Sequence, residues 1–140
     1  MNGNDFMSWV LRSPFHGMLS NGMMLITVTG RKTGKTYTTP VEYYEENGYL
    51  WVVSSRNRTW WKNLKGGADV GLVLKRKSVQ GFAEAEMDEK IVSLQLASYL
   101  RHAPMAAKPM GIRMENKIPN AEDLARAAKD RLFVRINLSK

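Results

Sequence analysis

The sequence predicts a mainly β protein, a small barrel of antiparallel strands with flanking helices. Three observations lead there. Six runs rich in β-branched, aromatic and apolar residues recur along the chain, with short turns between most of them. Asn47-Gly48, the strongest short hairpin signal, joins two of these runs. The runs are also apolar enough that an open sheet would expose adhesive edges, which closure removes. At 140 residues the chain suits one domain with its own core. The expected layout within 1–140 is a helical segment over 1–20, a barrel core over 23–86, helices and loop over 87–131, and a closing strand over 132–138.

Each element has its own reason. Residues 5–11 carry Phe6, Met7, Trp9, Val10 and Leu11, a short helical pattern that stops before Ser13-Pro14. Residues 23–29 form a nearly continuous apolar and β-branched run, a buried strand. Residues 37–46 alternate up to Asn47-Gly48, and 49–54 (YLWVVS) return, giving a meander. Residues 56–65 (RNRTWWKNLK) lose the alternation. There Thr59 is expected to cap a short helix that Gly66-Gly67 ends. Strands over 70–75 and 79–86 flank a turn at Arg76-Lys77-Ser78. A helix opens at Met87 or Asp88 and runs through Ile91, Leu94, Leu96 and Leu100. Residues 103–119, rich in proline and methionine, read as loop. Asn120 caps a second helix with Glu122 and Asp123 in its first turn, and 132–138 (LFVRINL) close the fold.

Composition narrows the chemistry. There is no cysteine, hence no disulfide or thiolate metal site. No basic stretch precedes the first apolar residues and no run is long enough to span a membrane, so a cytoplasmic protein is expected. Lys+Arg 21 against Asp+Glu 13 leave a net charge of +8, which favours an anionic partner. The two histidines, His16 and His102, stand far apart with no metal-ligand spacing, and read as structural or surface groups. Glu84 and Glu86 alternate on one strand and face solvent. Difficult chemistry would therefore belong to a bound cofactor.

The positive charge is clustered. Arg31, Lys32 and Lys35 share one hairpin tip, in a stretch (GRKTGKT) that mimics a phosphate-binding P-loop. Only Arg31, Lys32 and Thr33 separate Gly30 from Gly34, one residue too few, and a strand follows where a P-loop needs a helix. Arg56, Arg58, Lys62 and Lys65 surround Trp60 and Trp61. Two adjacent tryptophans on a short helix cannot both face inward, so one sits at a boundary. Ser54 and Ser55 end an apolar strand with groups able to meet a polar ring. The clusters read either as a solvated basic rim or as an anion site beside an aromatic wall.

The ordered set TVTGRKTGKTYTTP (27–40) and WWKNL (60–64), preceded by Ser13-Pro14-Phe15-His16, resembles the deazaflavin-dependent nitroreductase and quinone-reductase family of the flavin split β-barrel fold. The resemblance implies an FMN-binding-like split barrel and the deazaflavin coenzyme F-420, with FMN as the alternative cofactor. It implies that Gly30, Arg31, Lys32, Thr33 and Gly34 hold the phosphate and acidic tail, and that Pro40 lies beneath the ring. It places Ser54 and Ser55 toward the ring, with Trp60 and Asn63 closing that side. Many relatives carry an arginine shortly before the proline where this chain has Thr36-Tyr37-Thr38-Thr39, so Arg56 and Arg58 are expected to rebuild the anion site. The implied reaction is hydride transfer to a quinone, nitroaromatic or activated alkene. Haem and fatty acyl groups are further occupants that barrels of this kind accept.

Other classes make different demands. A non-catalytic barrel binding single-stranded nucleic acid would use the basic rim, yet the aromatics cluster in one box instead of lining a strand face. A peripheral membrane protein would use Phe6, Trp9, Val10 and Arg12. A homodimer is compatible with either chemistry.

Overall fold

The structure, a computed structural model, describes residues 22–138. The helical segment, His16 and the candidate membrane residues lie outside them. In chain order the elements begin with β1 (Met23–Thr29), β2 (Thr36–Glu42), β3 (Tyr44–Glu46) and β4 (Tyr49–Ser55), followed by a 3-10 helix (Trp60–Leu64). Next come β5 (Ala68–Leu74), β6 (Lys77–Glu86), α1 (Glu89–His102), a 3-10 turn (Pro104–Ala106), β7 (Met114–Glu115), β8 (Ile118–Pro119), α2 (Ala121–Asp130) and β9 (Arg131–Leu138).

The main sheet is antiparallel in the order β2-β1-β5-β6-β9-β4-β3. Its two ends are consecutive pieces of one stretch, 36–46, bent at Tyr43. The first piece pairs with β1 and the second with β4. This shared stretch closes the barrel at one end. At the other end β2 and the last residues of β4 are not paired, so the barrel is split. The run over 37–46 that the sequence reads as one strand is therefore two.

Alternation builds two cores. Leu50, Val52, Val134 and Ile136 point into the barrel with Met24, Ile26, Val28 and Leu72, and Trp61 and Leu64 plug it. Trp51 and Phe133, one residue out of step, point the other way and meet Val92, Leu96, Tyr99 and Leu100 of α1 and Ala127 and Ala128 of α2. Glu46 fastens α1 to β3, accepting hydrogen bonds from the Ser98 hydroxyl and from Gln95 Nε2 at 3.3 Å, with His102 Nε2 also at 3.3 Å. These donors, Ser98 first, hold its carboxyl below the usual range despite the opposing effect of burial. His102 thus has a structural role.

Asp88 caps α1, accepting from Lys90 N and Ile91 N, and Asn120 caps α2 through Asp123 N at 3.0 Å. Thr59 does not cap: its side chain makes no such bond, and the turn forms through Lys62 N–H donating to the Thr59 carbonyl at 3.1 Å. The β5–β6 turn falls at Lys75-Arg76 (φ 51° and 68°), and 114–119 form a hairpin through Asn116-Lys117 (φ 53° and 67°). Lysine and arginine rarely adopt this left-handed conformation, so local propensity places the first turn too late and reads the second segment as loop.

Asp123, only 2% exposed, fastens the 111–113 loop to α2. Its carboxylate accepts from Arg113 N and Nε, both at 2.9 Å, and pairs with Arg126 at 3.2 Å. Arg113 holds the carboxyl at about 2. Because the folded value lies below the unfolded one, the stabilisation is full above the ordinary carboxylate range near ~4 and is lost as pH falls toward about 2. Asp123→Asn should lower the melting temperature at neutral pH and flatten its decline across that acid window. Calorimetry showing the same decline in both proteins would contradict this.

Candidate functional site

The turn after β1 is shaped by its own residues. Gly30 N–H donates to Lys35 O at 2.7 Å, Gly34 N–H to Gly30 O at 2.8 Å, and Thr33 Oγ1 accepts from Lys35 N at 3.2 Å. A Cβ on Gly30 would lie 3.0 Å from both Thr33 Oγ1 and the Tyr37 ring, while Gly34 has φ +71°. Arg31 ties this turn to the 3-10 helix. Its N–H donates to Asn63 Oδ1 at 3.1 Å, and its guanidinium donates to Lys65 O and to Gly67 O. Asn63 in turn donates to Trp60 O at 3.2 Å. Within WWKNL, Trp61 (5% exposed) and Leu64 (1%) anchor the helix inside the barrel, leaving Trp60 at the boundary.

Two cavities have Trp60 in their walls. One, about 500 Å³, is lined by Gly30, Arg31, Lys32, Thr33, Tyr37, Thr59, Lys62 and Asn63 as well as Trp60. The other, about 290 Å³, lies in the split between Thr39–Glu42 and 53–55, with Met23, Arg58 and Trp60 at its sides. The indole is fixed from below by its Nε1–H donating to Ser54 Oγ at 3.2 Å. The Ser54 hydroxyl itself donates to Ser55 O at 3.2 Å, so it positions the wall instead of facing the cavity as a free group.

Register identifies the peptide groups that face the split, because the N–H and C=O of one strand residue point to the same side and the side alternates. Tyr43 N–H donates to Gly22 O at 3.0 Å, so odd-numbered residues of β2 bond toward β1. Pro40 and Glu42 therefore face away from β1, across the split. On β4, Arg56 N–H donates to Asp130 O at 2.9 Å, which assigns even-numbered residues to β9 and turns Val53 and Ser55 toward the split. The β3–β4 ladder ends at Tyr44 with Trp51. The N–H groups of Val53 and Ser55 consequently have no strand partner.

Of the expected residues, Gly30, Arg31, Lys32, Thr33 and Asn63 line the first cavity, Pro40, Ser54 and Ser55 the second, and Trp60 both. Gly34 shapes the turn without lining either. Arg56 is a correction. Its Nε donates to Arg131 O at 2.8 Å, and its Nη2 donates to Met87 O and Ala128 O at 2.7 and 2.9 Å. It serves backbone carbonyls, including one near the end of α2, while Arg58 lines the split. Arg31 is likewise committed to carbonyls, leaving Lys32 exposed and without an ion pair among the described residues. Tyr37, Thr39 and Glu42 were not anticipated. Pro40 inside a β run was the available signal, since proline marks an edge strand and hence a boundary.

Several solved structures share this fold. An F420-H2 dependent reductase is 22% identical, over 81% of this chain and 94% of that chain, with a TM-score of 0.52. A candidate pyridoxamine 5'-phosphate oxidase from Listeria innocua is 10% identical, over 96% and 94%, at 0.57. The flavocytochrome Anf3 from Azotobacter vinelandii is 10% identical, over 100% and 69%, at 0.52. No curated protein matches the chain. The profile of the F420H(2)-dependent quinone reductase family matches residues 13–119, most of the chain, including both the GRKTG turn and the WWKNL box that form the groove. The protein belongs to that family and is an oxidoreductase.

Proposed function

We propose that the protein binds deazaflavin F-420 along the groove and reduces a small acceptor, a quinone, nitroaromatic or activated alkene, by hydride transfer. The observation that supports this reading is that Trp60 lines both the cavity at the basic turn and the cavity at the unpaired strand edge. The residues fit such a cofactor. Lys32 and Lys62 offer ammonium groups to an anionic tail beside Thr33 and Tyr37. Val53 and Ser55 aim peptide N–H groups at the polar edge of a ring. Pro40, Val41 and the Trp60 indole exclude water around it. The cofactor when bound supplies the hydride, and the protein supplies position and electrostatics. A single phosphate, as in FMN, would leave much of the 500 Å³ basic cavity unused. Parallel fluorescence titrations should show tighter F-420 than FMN binding, and a submicromolar FMN site with no F-420 response would reverse the assignment.

Lys32 separates an anion site from a solvated rim. A charge-assisted hydrogen bond to the tail contributes roughly 1.5–3 kcal/mol, so Lys32→Ala should weaken binding about tenfold or more. The tail is remote from the reacting carbon, so the apparent KM for cofactor rises while kcat is nearly unchanged, and the defect shrinks with salt. Wild-type affinity in the variant at low salt would reduce the turn to a rim.

The tryptophans should divide their effects. Trp61→Ala removes a buried plug and costs about 3–5 kcal/mol of stability. Trp60→Ala costs less stability but weakens cofactor binding by about 1–3 kcal/mol, as loss of a stacking wall does. Denaturation and binding measured on both variants check this, and equal binding losses would show that Trp60 is not the wall.

A further inference from the structure

We propose that Pro40 is a positioning residue that keeps the split from zipping shut. Continuing the β3–β4 register past Tyr44 with Trp51 would pair Glu42 with Val53 and then Pro40 with Ser55. These four residues line the cavity in the split. Alternation puts Pro40 on the side of β2 that faces β4, so its nitrogen stands where a ladder N–H would donate to the Ser55 carbonyl. Proline has no such hydrogen. The missing donor leaves the Ser55 carbonyl to Arg58 N–H and to the Ser54 hydroxyl, both at 3.2 Å. On the other side Pro40 sits opposite Leu25 in a position that needs no donor, so the β1–β2 ladder loses nothing. One residue thus spares the pairing that builds the barrel and removes one of the four hydrogen bonds of the pairing that would fill its site. Without it, two facing strand edges with complementary groups would satisfy each other, as edges do.

The identity of the guest rests on the functional reading above, but the state of the strand edges does not, so two measurements on the ligand-free and F-420-titrated protein separate them. Pro40→Val restores the N–H with high strand propensity, and Pro40→Ala restores it with little. Amide hydrogen exchange in the absence of ligand should slow at Val53 and Ser55 by about tenfold or more in Pro40→Val and less in Pro40→Ala. The melting temperature should not fall, and F-420 affinity should drop about tenfold in the valine variant. If Pro40→Val fails to fold, Pro40→Ala carries the comparison. Exchange at Val53 and Ser55 that is unchanged in the folded variants overturns the proposal, whether or not binding weakens, because Pro40 then acts by contact alone. Slowed exchange with no F-420 binding by any form, wild type included, supports the proposal and removes the cofactor reading.

Discussion

A strand between two others has only one set of peptide groups for each neighbour. The stretch 36–46 spends its odd-numbered residues on β1 and its even-numbered ones on β4, and the second ladder is complete only over Tyr44–Glu46. The remainder of the fold follows from this half-made closure. It seals one end of the barrel well enough to protect the apolar interior of Ile26, Leu50, Val52 and Ile136. It also leaves the other end with an unbonded edge on each side. Such an edge in a small protein is ordinarily a hazard for aggregation. Here it faces inward across a gap, with Trp60 at its side.

The two motifs that look independent in the sequence are one structure. Asn63 accepts the Arg31 N–H and donates to the Trp60 carbonyl, while the Arg31 guanidinium gathers the Lys65 and Gly67 carbonyls left at the end of the 3-10 helix. An arginine in a basic turn invites the assumption that it holds an anion. Its Nη2 is instead directed at backbone oxygens, while its neighbour Lys32 stands exposed. The field of a positive groove need not come from every cation in it, because some cations shape the groove that others fill.

Much of this was legible, for reasons that differ by residue. Period-two alternation found the strand run over 37–46 and a nearly continuous apolar run found 23–29, and Asn47-Gly48 adopts the left-handed turn that its composition requires (φ 55° and 82°). Asn120 and Asp88 cap as short polar side chains do. What stayed hidden depended on partners distant in sequence. Arg56 is defined by carbonyls of residues 87, 128 and 131. The break at Tyr43 is defined by Gly22 and β4. The Lys75-Arg76 turn runs against the preference of its residues. Of the two tryptophans, crowding requires one to be peripheral and the resemblance names Trp60, while Trp61 is buried beside Leu64.

Glu46 collects Ser98, Gln95 and His102 close to the bend, so the closed end of the barrel is braced from outside by α1. The far end of the same stretch is braced differently. β2 is laddered to β1 along its whole length, from Met23 with Glu42 to Thr29 with Thr36, and the turn before it is tied through Arg31 to the 3-10 helix. At about 3.3 Å per residue, Thr36 lies roughly 23 Å from Tyr43. A molecule of this size can in this way hold a strand at both ends while one of its edges stays without a partner between them.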